Sequence, residues 1–94
     1  MSATERIYVK VTTSFDQTGF MVPRVLTWSD GRAFPIDEVR SFRPSSALDA
    51  SLPGDCYTVV IRGEEKLLFF ELTDRKMYPS RFGRWFVLRK PASA

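Results

Sequence analysis

A chain of 94 residues, 44% apolar and 27% charged, has the size and composition of one globular domain. It contains no histidine and a single cysteine, Cys56, which excludes histidine-based catalytic triads, the usual tetrahedral zinc sites and an internal disulfide. No apolar run reaches the ~18 residues of a membrane-spanning helix, and the first ten residues lack the apolar segment of a signal peptide. A lone cysteine also fits a reducing cytoplasm. We therefore expect one cytoplasmic domain over residues 1–94, with an ordered core at about 5–90.

The net charge of +3 is unevenly distributed along the chain. Residues 74–94 contain six Lys or Arg and one Asp, whereas residues 1–73 contain eight Lys or Arg and ten Asp or Glu. The basic excess therefore lies entirely in the C-terminal segment.

The first predicted element is a half-buried strand at residues 6–14. Ile7, Val9 and Val11 alternate with polar or amphipathic residues there, which is the period of a strand with one buried side. A turn is expected at residues 15–19.

Residues 21–28 and 32–36 predict a hairpin across a Ser-Asp-Gly connection. A two-residue turn would scatter the large apolar side chains of the two strands over both faces. A three-residue loop with Gly31 in the left-handed conformation pairs Leu26 with Phe34 and collects those side chains on one face. Since burial selects between the two registers, we predict the three-residue loop.

The rest of the chain outside the central hairpin is predicted to be short strands and loops. Residues 37–40 suggest a single helical turn, residues 41–43 a short strand, and residues 45–54 and 73–83 irregular loops. A closing strand is expected at residues 84–90, with non-local pairing between the first and last strands. The predicted fold is all-β: a small antiparallel twisted sheet or partly closed barrel of about six strands, with at most a short helical turn.

Residues 56–72 predict the central hairpin, with a two-residue turn at Gly63-Glu64. That register places Val59 opposite Leu68. The residues on one face are then Tyr57, Val59, Ile61, Leu68 and Phe70. The apolar residues on the other face are Val60, Leu67 and Phe69. A sheet with one wet face alternates between apolar and polar residues, so this second face needs a cover, either the barrel itself or a partner. It is therefore our candidate self-association face.

Residues with catalytic or ligand-binding chemistry are sparse in this sequence. The adjacent carboxylates at residues 37–38 and 64–65 are typical of solvated turns. Cys56 is interpreted as a small buried apolar residue, because a reactive thiol needs a cationic, accessible setting. The aspartates of separate turns lack the oxygen spacing of a calcium loop. We therefore expect no enzyme activity, no cofactor and no metal site.

The C-terminal segment interleaves basic and aromatic residues, a pattern that can grip single-stranded nucleic acid by phosphate contacts and base stacking. Basic residues also guard exposed sheet edges, and the aromatics are needed for packing. The residues of this candidate nucleic-acid or partner surface are Arg75, Lys76, Tyr78, Arg81, Arg84, Arg89 and Lys90. The leading prediction is a non-catalytic protein-interaction module that self-associates or binds another protein. The alternative is weak binding of single-stranded nucleic acid.

In a set of spaced motifs over residues 22–90, the chain resembles a group of small bacterial proteins of unknown function. The motifs are Trp28-Ser29-Asp30-Gly31, Ile36-Asp37 with Val39, Arg43-Pro44, Gly54-Asp55 with Tyr57-Thr58-Val59, Leu68-Phe69-Phe70-Glu71 and Arg84-Trp85-Phe86-Val87. The resemblance implies a cytoplasmic, all-β bacterial protein and carries over no activity. The chain departs from the group in its longer loop at residues 74–82.

Overall fold

The computed structural model describes residues 4–45, 53–73 and 82–89, and the regular structure of these residues is all β-strand. The strands are β1 (Glu5–Phe15), β2 (Met21–Thr27), β3 (Ala33–Pro35), β4 (Glu38–Arg43), β5 (Asp55–Ile61), β6 (Glu64–Thr73) and β7 (Phe82–Arg89). They form one antiparallel sheet in the order β3-β2-β1-β7-β6-β5-β4, curled into a half-barrel. The predicted fold is confirmed, with seven strands rather than about six. The first and last strands pair as expected.

The inner, concave face of the sheet carries the main core. Its buried members come from four strands and are Leu26, Tyr57, Val59, Leu68 and Trp85. Val9 and Val11 of β1 pack against this cluster, which confirms the predicted apolar side of the first strand. The period-2 alternation of these strands therefore places one set of their apolar side chains in a shared interior.

The chain crosses from one edge of the sheet to the other between β3 and β4, and this crossing draws the two edges together. The Ile36 N–H donates to the Arg24 carbonyl of β2 at 2.8 Å. The next residue, Asp37, donates its N–H to the Val60 carbonyl of β5, also at 2.8 Å. Because consecutive amides bond to strands from opposite ends of the strand order, this part of the half-barrel is closed.

Aromatic side chains bridge the same gap further along. The Tyr57 hydroxyl donates to the Met21 carbonyl at 2.9 Å, so a β5 side chain reaches β2 across the interior. Phe20 packs edge-on against Phe42 with ring centroids 5.1 Å apart, and Phe42 lies 4.8 Å from Tyr57. These contacts join Phe20 and β2 to β4 and β5 across the interior.

The hairpin of β2 and β3 has the predicted three-residue loop. Leu26 pairs with Phe34, and the Trp28 N–H donates to the Arg32 carbonyl at 2.8 Å. Gly31 has a φ of 92°, the left-handed conformation that this loop requires.

The central hairpin differs from the predicted register, and the turn at Gly63-Glu64 was wrong. The two turn residues are Arg62 and Gly63, with φ of 54° and 78°, so both are left-handed as in a type I′ turn. Tyr57 therefore lies opposite Leu68, and Val59 opposite Lys66. The register is displaced by two residues, and since side chains alternate with period 2, every residue stays on its predicted face.

The predicted helical turn at residues 37–40 was also wrong. Glu38–Arg43 is a single strand that pairs with β5, with an irregularity between Val39 and Ser41. A bulge of this kind inserts one extra residue, which breaks the period-2 pattern and hides the strand from a reading of the sequence. Of the two predicted loops, residues 46–52 and 74–81 lie outside the described residues.

Candidate binding surfaces

The outer, convex face of the sheet has a small apolar cluster of its own. Phe69 and Phe86 are buried and stack with ring centroids 5.3 Å apart and an interplanar angle of 13°. Cys56 is the third buried member. Tyr8 meets Phe86 edge-on at 5.6 Å. The register explains the cluster, because Tyr8, Phe86, Phe69 and Cys56 are cross-strand neighbours on β1, β7, β6 and β5.

Arginine side chains cover this aromatic cluster. The Arg6 guanidinium carbon lies 4.6 Å from the centre of the Phe86 ring, and that of Arg84 lies 4.3 Å from the centre of the Tyr8 ring. Both arginines donate to Glu71, Arg84 at 2.7 Å. Hydrogen bonding from Arg84, with the charges of Arg84 and Arg6, lowers the pKa of the Glu71 carboxyl below its ordinary value. One carboxylate therefore holds two cations over two aromatic rings.

Val60 is covered in a similar way. It lies between Glu38 of β4 and Glu65 of β6 in the register. Arg40 donates to Glu38 at 2.9 Å and to Glu65 at 2.6 Å. Since Arg40 joins carboxylates on both sides of Val60, its aliphatic stem and guanidinium extend across that residue.

Three large apolar side chains of the outer face remain exposed. Their exposed fractions are 53% for Leu67, 38% for Leu88 and 41% for Tyr8. Leu67 lies two residues before Phe69, and Leu88 lies two residues after Phe86. Both are therefore on the same side of the sheet as the stacked pair. We call these three residues the outer patch. The candidate self-association face is thus divided, because Val60 and Phe69 are buried within the chain and Leu67 is exposed.

Only two members of the predicted basic surface lie in the described part of the chain. Arg84 is paired with Glu71, and Arg89 donates to Glu5 at 2.7 Å. The others, Arg75, Lys76, Tyr78, Arg81 and Lys90, lie outside it. Arg84 is on the outer face, whereas Arg89 lines an inner cavity, so the structure does not bring these two together.

That cavity, which we call the inner hollow, lies at the end of the half-barrel opposite the aromatic closure and has a volume of about 650 Å³. The inward-facing apolar residues of its wall come from β2, β3, β5, β6, β7 and the residue after β2. They are Leu26, Trp28, Phe34, Val59, Ile61, Leu68 and Val87. β2 ends at Thr27, opposite Lys10, so the first residues of β1 have no β2 neighbour. The shortness of β2 and β3 leaves the interior unfilled there.

Charged side chains surround the apolar wall of the inner hollow. Lys66 is paired with Glu64 at 3.1 Å. The guanidinium carbons of Arg62 and Arg32 lie 5.0 Å and 5.7 Å from the centre of the Phe34 ring. Arg32 is paired with Asp30 at 2.6 Å, and Arg62 forms no ion pair with any residue that the structure describes.

No direct signal in the sequence indicates a role for Arg6, Tyr8 or Leu88, or the presence of the inner hollow. Arg6 and Tyr8 stand on the polar side of the first strand, where solvation was expected. The pairing of β1 with β7 was predicted, and extending it residue by residue would have put Tyr8 opposite Phe86. The hollow depends on where β2 and β3 end, which composition does not reveal.

Groups with catalytic potential are dispersed. Cys56 is buried, and desolvation raises the pKa of its thiol, with a smaller opposing effect of the Arg43 charge. Within residues 4–45, 53–73 and 82–89, no three His, Cys, Asp or Glu side chains come together as metal ligands.

The same residues contain no helix with the length and hydropathy to cross a bilayer.

The chain was also compared with known proteins. The resemblance to a group of small bacterial proteins stays a prediction from the motifs. No family model, curated protein or solved structure matches the chain.

Proposed function

We propose that this protein is a non-catalytic, cytoplasmic β module that binds another protein through the outer patch. The observation that carries the proposal is the exposure of Tyr8, Leu67 and Leu88 on one side of three adjacent strands. Single exposed apolar residues are ordinary on a protein surface, whereas a contiguous group marks an interaction site. Aromatic and aliphatic anchors of this kind contribute most to binding when a partner excludes water from them.

Charge on the outer face favours a protein partner over nucleic acid. Arg6 and Arg84 both contact Glu71, and Arg40 contacts Glu38 and Glu65. Cations that are already neutralised release fewer counterions from a phosphate backbone. A face that carries both signs of charge beside an apolar patch can also complement itself across a two-fold axis, so a second copy of the chain is the partner to test first.

The test is the mass in solution as a function of protein concentration, by sedimentation equilibrium, for the wild type and Leu67→Glu. We expect the wild type to form dimers and Leu67→Glu to weaken dimerisation by about tenfold or more, because the variant buries an unpaired charge. Since Leu67 is half exposed, the variant should stay within about 1 kcal/mol of wild-type stability. Phe15→Ser is the matched control, because Phe15 is 67% exposed at the far end of β1 and is predicted to leave dimerisation unchanged.

A wild type that stays monomeric at every concentration contradicts self-association. Titration with a single-stranded oligonucleotide at two salt concentrations tests the alternative, which is binding of single-stranded nucleic acid. Binding that strengthens at low salt and is insensitive to Leu67→Glu would assign the function to the basic C-terminal segment instead.

A further inference from the structure

We propose that the inner hollow is a binding site for a small amphipathic anion, a molecule with an apolar or aromatic body and one carboxylate, sulfonate or phosphate group. Most of the wall of the hollow consists of inward-facing side chains of the half-barrel, and its lining also includes Leu67 and Leu88 of the outer patch. Its volume of about 650 Å³ lies within the range of small-molecule sites, roughly 300–1,000 Å³.

The wall of the hollow determines the apolar body of the ligand. Trp28 and Phe34 offer two aromatic surfaces, and Ile61 and Val87 are aliphatic. Apolar walls without buried polar partners bind apolar groups and give water few hydrogen bonds. The buried polar or charged residues that would recognise a polar body do not occur in the described part of the chain.

The mouth of the hollow determines the charge of the ligand. Lys66, Arg32 and Arg89 each have a carboxylate partner. Arg62 has none among the described residues, and its guanidinium carbon is held 5.0 Å from the centre of the Phe34 ring. A guanidinium that contacts a ring keeps N–H donors for an anionic group. Glu64 and Glu65 also line the hollow, and they are paired with Lys66 and Arg40. An anion there would therefore gain one cation that forms no ion pair with the described residues.

The backbone fixes Arg62 in this place. It is the first residue of the β5–β6 turn, with φ of 54°, and its N–H donates to the Asp37 carboxylate at 3.2 Å. The turn therefore anchors the base of the side chain while the guanidinium reaches over β3. A positioned cation loses less freedom on binding than a mobile surface lysine does.

Two fluorescent probes with the same ring system test the proposal: anilinonaphthalene sulfonate, an anion, and phenylnaphthylamine, which is uncharged. We expect one saturable site for each on the wild-type chain. Arg62→Gln should weaken sulfonate binding by about three- to tenfold and leave phenylnaphthylamine binding unchanged, because the lost contact is a charged hydrogen bond at a partly exposed site. Arg62→Lys should retain most of the sulfonate affinity. Arg, Gln and Lys face the same backbone cost at this left-handed position, so backbone strain does not differ among the three chains.

The location is tested independently of affinity. The sequence has two tryptophans, and Trp28→Phe identifies the indole N–H resonance of Trp28. We expect the sulfonate probe to shift that resonance, and Tyr8→Ser, at the outer-patch residue that does not line the hollow, to leave binding unchanged. The proposal is overturned if Arg62→Gln weakens both probes equally, if Tyr8→Ser removes binding, or if neither probe saturates.

Discussion

At the scale of single residues, the distinctive feature is the use of arginines as a cover for apolar surface. The sequence showed that one face of the central hairpin needed covering, and it left open whether the fold or a partner did so. The structure adds a third answer, because Arg6 covers Phe86 and Arg40 crosses Val60. Which arginine covers which apolar side chain depends on hydrogen bonds between residues 25 to 65 positions apart along the chain, so the local pattern could not supply it.

Glu71 is predicted to stabilise the fold in a pH-dependent way. Its pKa is lowered from the ordinary 4.5 in the folded chain, chiefly by the hydrogen bond from Arg84. A lowered folded-state pKa stabilises the fold above about pH 4.5, and this contribution is lost as the pH falls through the folded value. We expect Glu71→Gln to reduce the free energy of unfolding by about 1 kcal/mol at pH 7, and the difference from wild type to shrink as the pH falls below 4.5 towards the lowered pKa of Glu71.

Urea unfolding of both chains at several pH values measures this difference. Glu64→Gln is the control, because Glu64 makes a single exposed ion pair with Lys66. It should cost less than about 0.5 kcal/mol at pH 7. A Glu71→Gln deficit that is independent of pH would show that the residue acts through packing rather than charge.

At the scale of elements, the side of the sheet on which a residue lies was more predictable than the register in which two strands pair. The apolar pattern of the central hairpin assigned Tyr57 and Phe69 to their correct sides, although the turn was placed one residue late. Two registers that differ by two residues bury the same side chains, so only the turn conformation separates them. Arg62 in a left-handed conformation is an uncommon choice, whereas the β2–β3 loop has Gly31 where it is needed and was predicted correctly.

Gly83 of β7 is predicted to be required by the ring of Phe70. A Cβ at Gly83 would lie 2.0 Å from the Cζ atom of Phe70, whose ring also packs on Trp85 at 4.8 Å. Gly83→Ala must displace the ring, at a cost of about 1–3 kcal/mol. In a Phe70→Leu background the ring is absent, and the same change should be neutral or should stabilise by about 0.5–1 kcal/mol, since glycine weakens strands.

A double-mutant cycle on thermal or urea unfolding measures this coupling between Gly83 and Phe70. If Gly83→Ala lowers the free energy of unfolding equally in the wild-type and Phe70→Leu backgrounds, the added Cβ clashes with the backbone rather than with the Phe70 ring.

At the scale of the whole molecule, the all-β class and the pairing of first and last strands were predictable from turn signals and strand count. The closure at Ile36 and Asp37 was not, because a segment of that composition also suits a helical turn. The inner hollow follows from the difference in length between the 11-residue β1 and the 7-residue β2, together with a β3 of three residues. Strand ends are set by packing between distant elements, which a single sequence does not display.

The position of β7 predicts that the chain cannot fold without it. β7 pairs with β1 on one side and with β6 on the other, so it joins the sheet formed by residues 5–35 to the one formed by residues 38–73. A chain that ends at Thr73 would leave the aromatic cluster without Phe86 and the core without Trp85. We expect that chain to show poor amide dispersion by NMR and no cooperative thermal transition. A cooperative transition in the shortened chain would contradict the prediction.

The central place of β7 also has a consequence during synthesis. A ribosome makes the chain from its N-terminus, and β7 is the last of the seven described strands to be made. Until then, the unpaired edges of β1 and β6 expose backbone groups that can pair with other chains. The sheet therefore cannot be completed before β7 has been made, and the slowest step of its folding should be the pairing of β7 with β1 and β6.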